Sequence, residues 1–429
     1  MSAKVLGKTG VLFTERRDFY ISPQVTKELW TAVTPFTTIL SNRSYETGLK
    51  DPEFKMFEHR SPFVKQQFLQ NDATASLLTT ATEIAIDNIT GLNSTVDDSY
   101  IGLEVKVWNP ADTSAPVGTA LITAQDTANK VSMKSLTGSA FTVANNYVYE
   151  VVGNAYGEGT EAGDAWADEL KVVWNSTQIF KTPIEITGTL YEAALRGYSN
   201  ELARLRMEKN KEHKIQKEKA FLYGASPVGT NMDSAGTFST AWQTDANSKQ
   251  VRTTTGLITA IEAYGASSGA DQNIFDINSA TYSYSDFVDD MEKVFQYVPE
   301  NGIKTALVGG TALSYWSKMD GAAGFVGQSN WTVNMGEVKK DSLGFNFRML
   351  DTPHGTLKLV WAPVLRDYRA GNMVVISDEN LSLKQYRPSK FQANIKTDNA
   401  YDGVKDQYFS DEGIGIELIE SHKLFRISA

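Results

Sequence analysis

Residues 189–224 read TLYEAALRGYSNELARLRMEKNKEHKIQKEKAFLYG, and the folding of this stretch decides the architecture around it. Thr189 followed three residues later by Glu192 is a capping box, so the spacing predicts a helix starting there. Gly224 is a natural stop, because glycine accepts the left-handed conformation that closes a helix. No proline intervenes and Gly197 is the one glycine inside, so the expected rod is ~50 Å long at ~1.5 Å per residue. Leu195, Tyr198, Leu202 and Leu205 form an apolar stripe at helical spacing. After Leu205 the stripe fails, and residues 208–214, EKNKEHK, offer nothing to bury. Eight Lys/Arg stand against five Glu in this stretch. Half of the rod should therefore pack, and half should be a basic arm facing solvent or charge.

Working outward, 429 residues are too many for one core and imply two to four domains or sub-domains. A net charge of -10 argues against a dedicated nucleic-acid binder held by phosphate contacts. The absence of cysteine removes disulfides, thiolate nucleophiles and zinc–thiolate sites together, and fits assembly in a reducing cytoplasm. No run of about 18 apolar residues exists for a membrane span, so no membrane partner is expected.

Upstream of the rod, residues 1–21 read as an extended arm, and 24–34 (QVTKELWTAVT) as a short helix ended by Pro35. Residues 45–70 alternate like a long, partly exposed strand. Residues 91–155 change character. Short alternating runs (LEVKVWN, GTALITAQ, KVSMKSL, FTVANN, YVYEVVG) separated by turn residues predict a small inserted β-barrel or sandwich. Residues 157–170 form an acidic loop, and 171–187 an extended return into the rod. Downstream, 254–266 (TTGLITAIEAYGA) reads as a short strand or helix, whereas Phe287, Met291, Val294, Phe295 and Val298 predict an amphipathic helix. KTALVGG reads as a buried strand and TALSYWSKM as a helix, and from residue 344 the pattern is β. Segregated helices and antiparallel-looking strands indicate an α+β fold.

No constellation carries catalysis. His59, His213, His354 and His422 are isolated in sequence, and His213 reads as part of a solvated lysine face. Gly7-Lys8-Thr9 lacks the earlier glycine and the preceding strand of a phosphate-binding loop. Gly413-Ile414-Gly415 has Leu418 where a dinucleotide fingerprint needs glycine. Residues 398–409 lack the acids of a calcium loop at Ala400 and Phe409, so a turn at Asp402-Gly403 is expected. The acidic group Glu158, Glu161, Asp164 and Asp168 suggests at most weak ion binding. No cofactor, metal or enzymatic activity is expected; a chain with arms and no active site suggests a building block.

The order of segments resembles the major capsid proteins of tailed double-stranded DNA bacteriophages, with the Hong Kong 97-type capsid fold. The resemblance rests on Pro35-Phe36 after an early helix, Asn175 to Phe180 (N-x-T-Q-I-F), and Glu218 to Gly224 (E-x-A-x-L-x-G). In the C-terminal half it rests on GTLKLVWAP, NMVVISD, LSLKQYRP and KDQYFSDEGIGIEL in that order. It implies an N-terminal arm at 1–45 and an extended loop at 46–187 containing the 91–155 β-domain. It further implies a peripheral domain with the spine helix at 188–281, an axial domain at 282–376, and a return to the peripheral domain at 377–429.

By the same resemblance the chain would self-assemble as hexamers and pentamers on an icosahedral lattice around packaged DNA, in a virion built in the bacterial cytoplasm. Arg204, Arg206, Lys209, Lys211, Lys214 and Lys217 would then face that DNA. Portal, scaffolding and cement proteins are the further partners implied. The inserted β-domain would project outward as an inter-capsomer contact or a cement-protein site. Only residues 1–21 precede the first expected helix, so no cleaved scaffolding segment is expected. The alternative is the shell of an encapsulin-like bacterial nanocompartment, although such shells are shorter and lack this insertion. A more distant rival is an enzyme or sugar-binding protein with a β-rich accessory module.

Overall fold

The computed structural model describes residues 34–43, 45–59, 66–72, 75–77, 80–90, 92, 96–127, 129–160, 170–193, 200–225, 244–269, 271–297, 302–319, 339–340, 346–395 and 402–428. The chain divides into two units, Phe57–Lys171 and the segments on either side of it. The larger unit begins with α1 (Pro35–Arg43), β1 (Tyr45–Thr47) and β2 (Glu53–Glu58). Pro35 opens the first described helix. Proline suits the first helical position because the N–H it lacks would have no partner there. The next two donors, Phe36 N and Thr37 N, are taken by the Glu218 carboxylate at 2.9 and 2.7 Å. The helix expected at 24–34 lies almost wholly outside the described residues.

The inserted unit supplies β3 (Gln67–Gln70), β4 (Ala75–Leu77), β5 (Thr82–Thr90), β6 (Leu103–Trp108), β7 (Gly118–Thr127), β8 (Lys130–Ser135), β9 (Phe141–Val143) and β10 (Val148–Asn154). Six strands close into a barrel in the order β10-β3-β5-β8-β7-β6, and β4 pairs with β9. Phe68, Ile84, Ile86, Val105, Val107, Ile122, Val131, Met133 and Tyr149 fill its interior, one residue in two along each strand. The small β-domain is therefore a barrel, and it starts before residue 91. The strands after residue 91 leave two edges open, and β3 and β5 close them. The long strand expected over 45–70 is accordingly divided among β1, β2 and β3.

The chain returns through β11 (Lys171–Ser176), which pairs with β2, then β12 (Gln178–Thr187), α2 (Gly188–Glu192) and α3 (Glu201–Tyr223). The rod expected over 189–224 is thus shorter and later. Ala193 is already extended (φ -68°, ψ 132°), and α3 is capped by Asn200, whose side chain accepts from Ala203 N at 2.9 Å. Its 23 residues span ~35 Å. Leu195 and Tyr198 of the apolar stripe lie outside the described residues. Gly224 does follow the helix, but in extended rather than left-handed conformation (φ -55°, ψ 145°). Glycine is needed there for close approach instead: a Cβ would meet the carbonyl oxygens of Thr254 and Ala220.

The remaining elements are α4 (Leu257–Tyr264), β13 (Ile274–Asn278), α5 (Tyr284–Val294), β14 (Ile303–Val308), α6 (Gly310–Met319), β15 (Lys339–Lys340), β16 (Asn346–Thr352), β17 (Gly355–Trp361), β18 (Asn372–Ile376), β19 (Leu381–Gln392), β20 (Gly403–Ile416) and β21 (Lys423–Ser428). Two sheets organise the larger unit: β1-β19-β20-β12, and the mixed seven-stranded β13-β21-β18-β14-β17-β16-β15. Residues 257–264 settle as helix, with Leu257, Ile258 and Ile261 buried. In the seven-stranded sheet β14 pairs in parallel with β17 and β13 with β21. Its central strands are buried on both faces, which explains continuous apolar runs such as NMVVI. Phe287, Met291 and Val294 of α5 pack with Trp316 of α6 on one face. The capping box that starts α5, Ser283 with Asp286, is complete. The α+β class expected from the sequence is the class observed.

Candidate functional site

Among the described residues, the long helix and the two strands beneath it hold most of the ion pairs of the larger unit. Along β12 every second residue turns inward, giving a face of Phe180, Thr182, Ile184 and Ile186. Their antiparallel partners on β20 are Ser410, Tyr408, Asp406 and Val404. So the surface offered to α3 is apolar at one end and polar along the rest. Leu202 and Leu205 meet Ile184, Ile186 and Val404 at the apolar end. Beyond them the face of α3 toward the sheet is polar until Phe221 and Leu222, which are buried in the main core.

Arg206 forks onto Asp406 (Nε 2.9 Å, Nη2 2.6 Å to Oδ2), whose side chain is 0% exposed. His213, 2% exposed, bonds Thr182 Oγ1 through Nδ1 at 2.9 Å and Ser410 Oγ through Nε2 at 3.0 Å. Lys217 Nζ lies 2.6 Å from Glu412 Oε2, and Gln385 donates to the other Glu412 oxygen at 3.1 Å. The spacing is consistent. Residues 206 to 217 rise ~16 Å along a helix, and 406 to 412 ~20 Å along a strand. Helix and strand therefore run side by side in the same direction. The solvated lysine face expected for His213 is corrected here: the histidine is buried, because the strand beneath it presents hydroxyls.

Electrostatics follow from this burial. Desolvation, with Lys217 nearby, pulls the His213 imidazole down to about 4 despite the opposing pull of Glu412. Burial pushes the Glu218 carboxyl up to about 7, against the two N–H donors of α1. In the seven-stranded sheet Lys304 is driven down to about 7 by burial and by Lys423. Its ammonium is held by the carbonyls of Val294, which ends α5, and Ser421, at 2.9 and 3.0 Å. Each of these groups is held by hydrogen bonds within the fold.

The six basic residues expected to face DNA therefore divide. Arg206 and Lys217 bind carboxylates of their own sheet. Arg204 pairs with Glu201 and Glu208 on the helix surface, and Lys209 with Glu212 at 2.7 Å. Lys211 is half-buried and Lys214 exposed. Glu218, Asp406, Ser410 and Glu412 lie in runs quoted for the resemblance but were given no role as partners of the helix. Their one legible signal is the alternation D-x-Y-x-S-x-E over 406–412, a strand whose face toward the helix is polar. Among the described residues no group of three or more His, Asp or Glu could hold a metal ion. The acids Glu161, Asp164 and Asp168 lie outside those residues. No described helix is long and apolar enough to cross a membrane.

Comparison with known proteins places these observations. The family model described as the SU10 major capsid protein matches residues 14–411. No curated protein sequence matches the chain. Among solved structures the chain is similar to the capsid of a native GTA particle, with 10% identity and TM-score 0.45, covering 99% of this chain and 100% of that one. It is similar to the capsid of Myoviridae phage XM1, with 7% identity and TM-score 0.44, covering 96% and 97%. A third similarity is to the holo-SrpI encapsulin complex of Synechococcus elongatus, with 6% identity and TM-score 0.39, covering 61% and 76%. All three superpose loosely, so the family match carries the assignment.

Proposed function

The chain belongs to the SU10 major capsid protein family, and from that premise we propose that it assembles as hexamers and pentamers into the icosahedral head enclosing a phage double-stranded DNA genome. A capsid shell protein associates with copies of itself and resides in the virion. The observation that carries the finer reading is the extent of the family match, which spans both structural units and nearly the whole chain. The architecture supports it: a long helix on a long-stranded sheet, a second mixed sheet, and a barrel inserted between β2 and β11.

In this reading the N-terminal arm is 1–45, the peripheral domain combines 188–281 with 377–429, and the axial domain is 282–376. The inserted barrel serves as an inter-capsomer contact or as the docking site of a cement protein. Portal and scaffolding proteins are the other partners of the assembling shell, which forms in the bacterial cytoplasm. DNA contact falls to Arg204, Lys209, Lys211 and Lys214, because Arg206 and Lys217 hold the helix to its sheet. Purified protein should sediment as closed shells by negative stain, and particles from infected cells should protect DNA from nuclease. A persistent monomer overturns the proposal. Shells that enclose protein cargo without DNA would favour a nanocompartment.

A further inference from the structure

Glu218 lies near the end of α3 and is 0% exposed. Its carboxylate oxygens accept from Phe36 N at 2.9 Å and Thr37 N at 2.7 Å, so a side chain of one helix caps the start of another. Among the described residues no cation pairs with it; burial dominates its environment, opposed by the bonds from Phe36 and Thr37. The ionisable groups of the elements packed around it are engaged elsewhere or exposed. Lys217 is held by Glu412 of β20, Glu262 of α4 by Arg426, and Asp378, in the turn against α1, accepts from Thr305 Oγ1. Lys384 of β19 has partners of its own, while Lys214, Lys219 and Glu379 are exposed. The inner face of β12, from Phe180 to Ile186, carries no ionisable group. The carboxyl therefore meets α1 with no counter-ion beside it.

The nine residues of α1 are too few to persist as a helix alone, so α1 is helical only while Phe36, Ile39 and Leu40 are buried in the main core. Docking it closes Glu218 off from water. A carboxylate buried without a cation is harder to keep ionised than to protonate, so docking and proton uptake are linked. We infer that Glu218 is a proton-operated latch on α1: the helix docks more tightly when the carboxyl is protonated, and ionisation loosens the point where residues 1–33 join the fold. A neutral carboxyl still accepts from both N–H groups through its two oxygens, so protonation removes the buried charge and keeps the cap. The sign of the pH dependence follows. With α1 undocked, Glu218 meets water and titrates at its ordinary 4.5; docked, it titrates at about 7. Between those values the docked state holds the extra proton, so docking strengthens as pH falls through the window and is weakest above 7. The latch belongs to one chain and holds whether or not shells form.

The test is hydrogen exchange of the full-length dissociated subunit, corrected for the intrinsic pH dependence of exchange. It is read in a peptide covering Pro35–Arg43, with Asn372–Ile376 of the seven-stranded sheet as the internal reference. In the wild type the α1 peptide should be roughly fiftyfold better protected at about pH 5 than at about pH 8, beyond any change in the reference. Glu218→Gln, neutral at every pH, should abolish the difference. His213→Gln, which leaves the latch in place, should keep it. Equal protection of α1 at both pH values in the wild type overturns the inference. So does a difference that survives Glu218→Gln or disappears in His213→Gln. The wild-type and His213→Gln measurements carry the test by themselves if Glu218→Gln does not fold.

Discussion

The helix-on-sheet layer of α3, β12 and β20 and the seven-stranded sheet with α5 and α6 solve the same problem with opposite chemistry. In the second, a helix with apolar residues at helical spacing covers strands that are apolar on the same side, and Phe287, Met291 and Val294 bury against Trp316 and Phe425. In the first, the helix packs two leucines near its start and Phe221 and Leu222 at its end, and between them sets Arg206, His213 and Lys217 against polar or acidic side chains of the sheet. Apolar packing is non-directional and tolerates approximate register. A row of charge pairs and hydrogen bonds does not, because shifting the helix by one turn leaves buried carboxylates without partners. The layer built from charges therefore fixes its own register more tightly, at a larger cost for any single error.

The largest expected effect breaks that layer at its most buried pair. Lys217→Met leaves Glu412, 2% exposed, without its cation, and should cost about 3–5 kcal/mol in denaturant unfolding of the dissociated subunit. Adding Glu412→Met should recover much of that loss. If the single change is neutral, the pair does not hold the helix. The apolar layer has its own buried charge, and there pH is the probe. Lys304 titrates near 7 in the folded state and at its ordinary 10.5 when unfolded, so the unfolded chain binds the extra proton between those values. Stability should rise with pH across that window, by about 5 kcal/mol at most, and Lys304→Met should flatten the rise.

His213 acts in the acid range with a slope of the same sign. Its folded value of about 4 lies below the unfolded 6.5, so stability is present above 6.5 and lost as pH falls toward 4, by about 2–3 kcal/mol. Glu218, raised to about 7, offsets this loss, because the folded state takes up its proton first between 7 and 4.5. Glu218→Gln should therefore steepen acid unfolding, and His213→Gln should flatten it; parallel curves for both variants would refute the assignment. The smallest stability effect belongs to Lys214→Gln, within about 0.5 kcal/mol, since its side chain is exposed. Its readout is nuclease-protected DNA per particle, which should fall if α3 faces the genome.

Amphipathic α5, strands β14, β17 and β18, and the alternation of β6, β7, β8 and β10 were legible because each buries an apolar face whose period is visible in one segment. The early barrel strands β3 and β5 were harder. Residues 67–70 of β3 read as the end of one long strand, and only closure of the barrel sets them apart as a strand of its own. The helix that Pro35 opens was missed for a related reason. Its first free donors are taken by Glu218 from 182 residues away, a partner that no local pattern announces.

The sequence by itself determined the class, the inserted β-domain, the family resemblance and the lack of any recognisable catalytic constellation. Each of these is written in local periodicity, composition or segment order. Tertiary structure alone decided which half of residues 189–224 became the long helix and what its basic face meets. The failure of the apolar stripe after Leu205 looked like a face with nothing to bury. It is a buried face whose partners, Asp406, Ser410 and Glu412, lie some two hundred residues further along the chain. Charge complementarity between two segments has no period within either one, so only the fold that brings them together makes it visible.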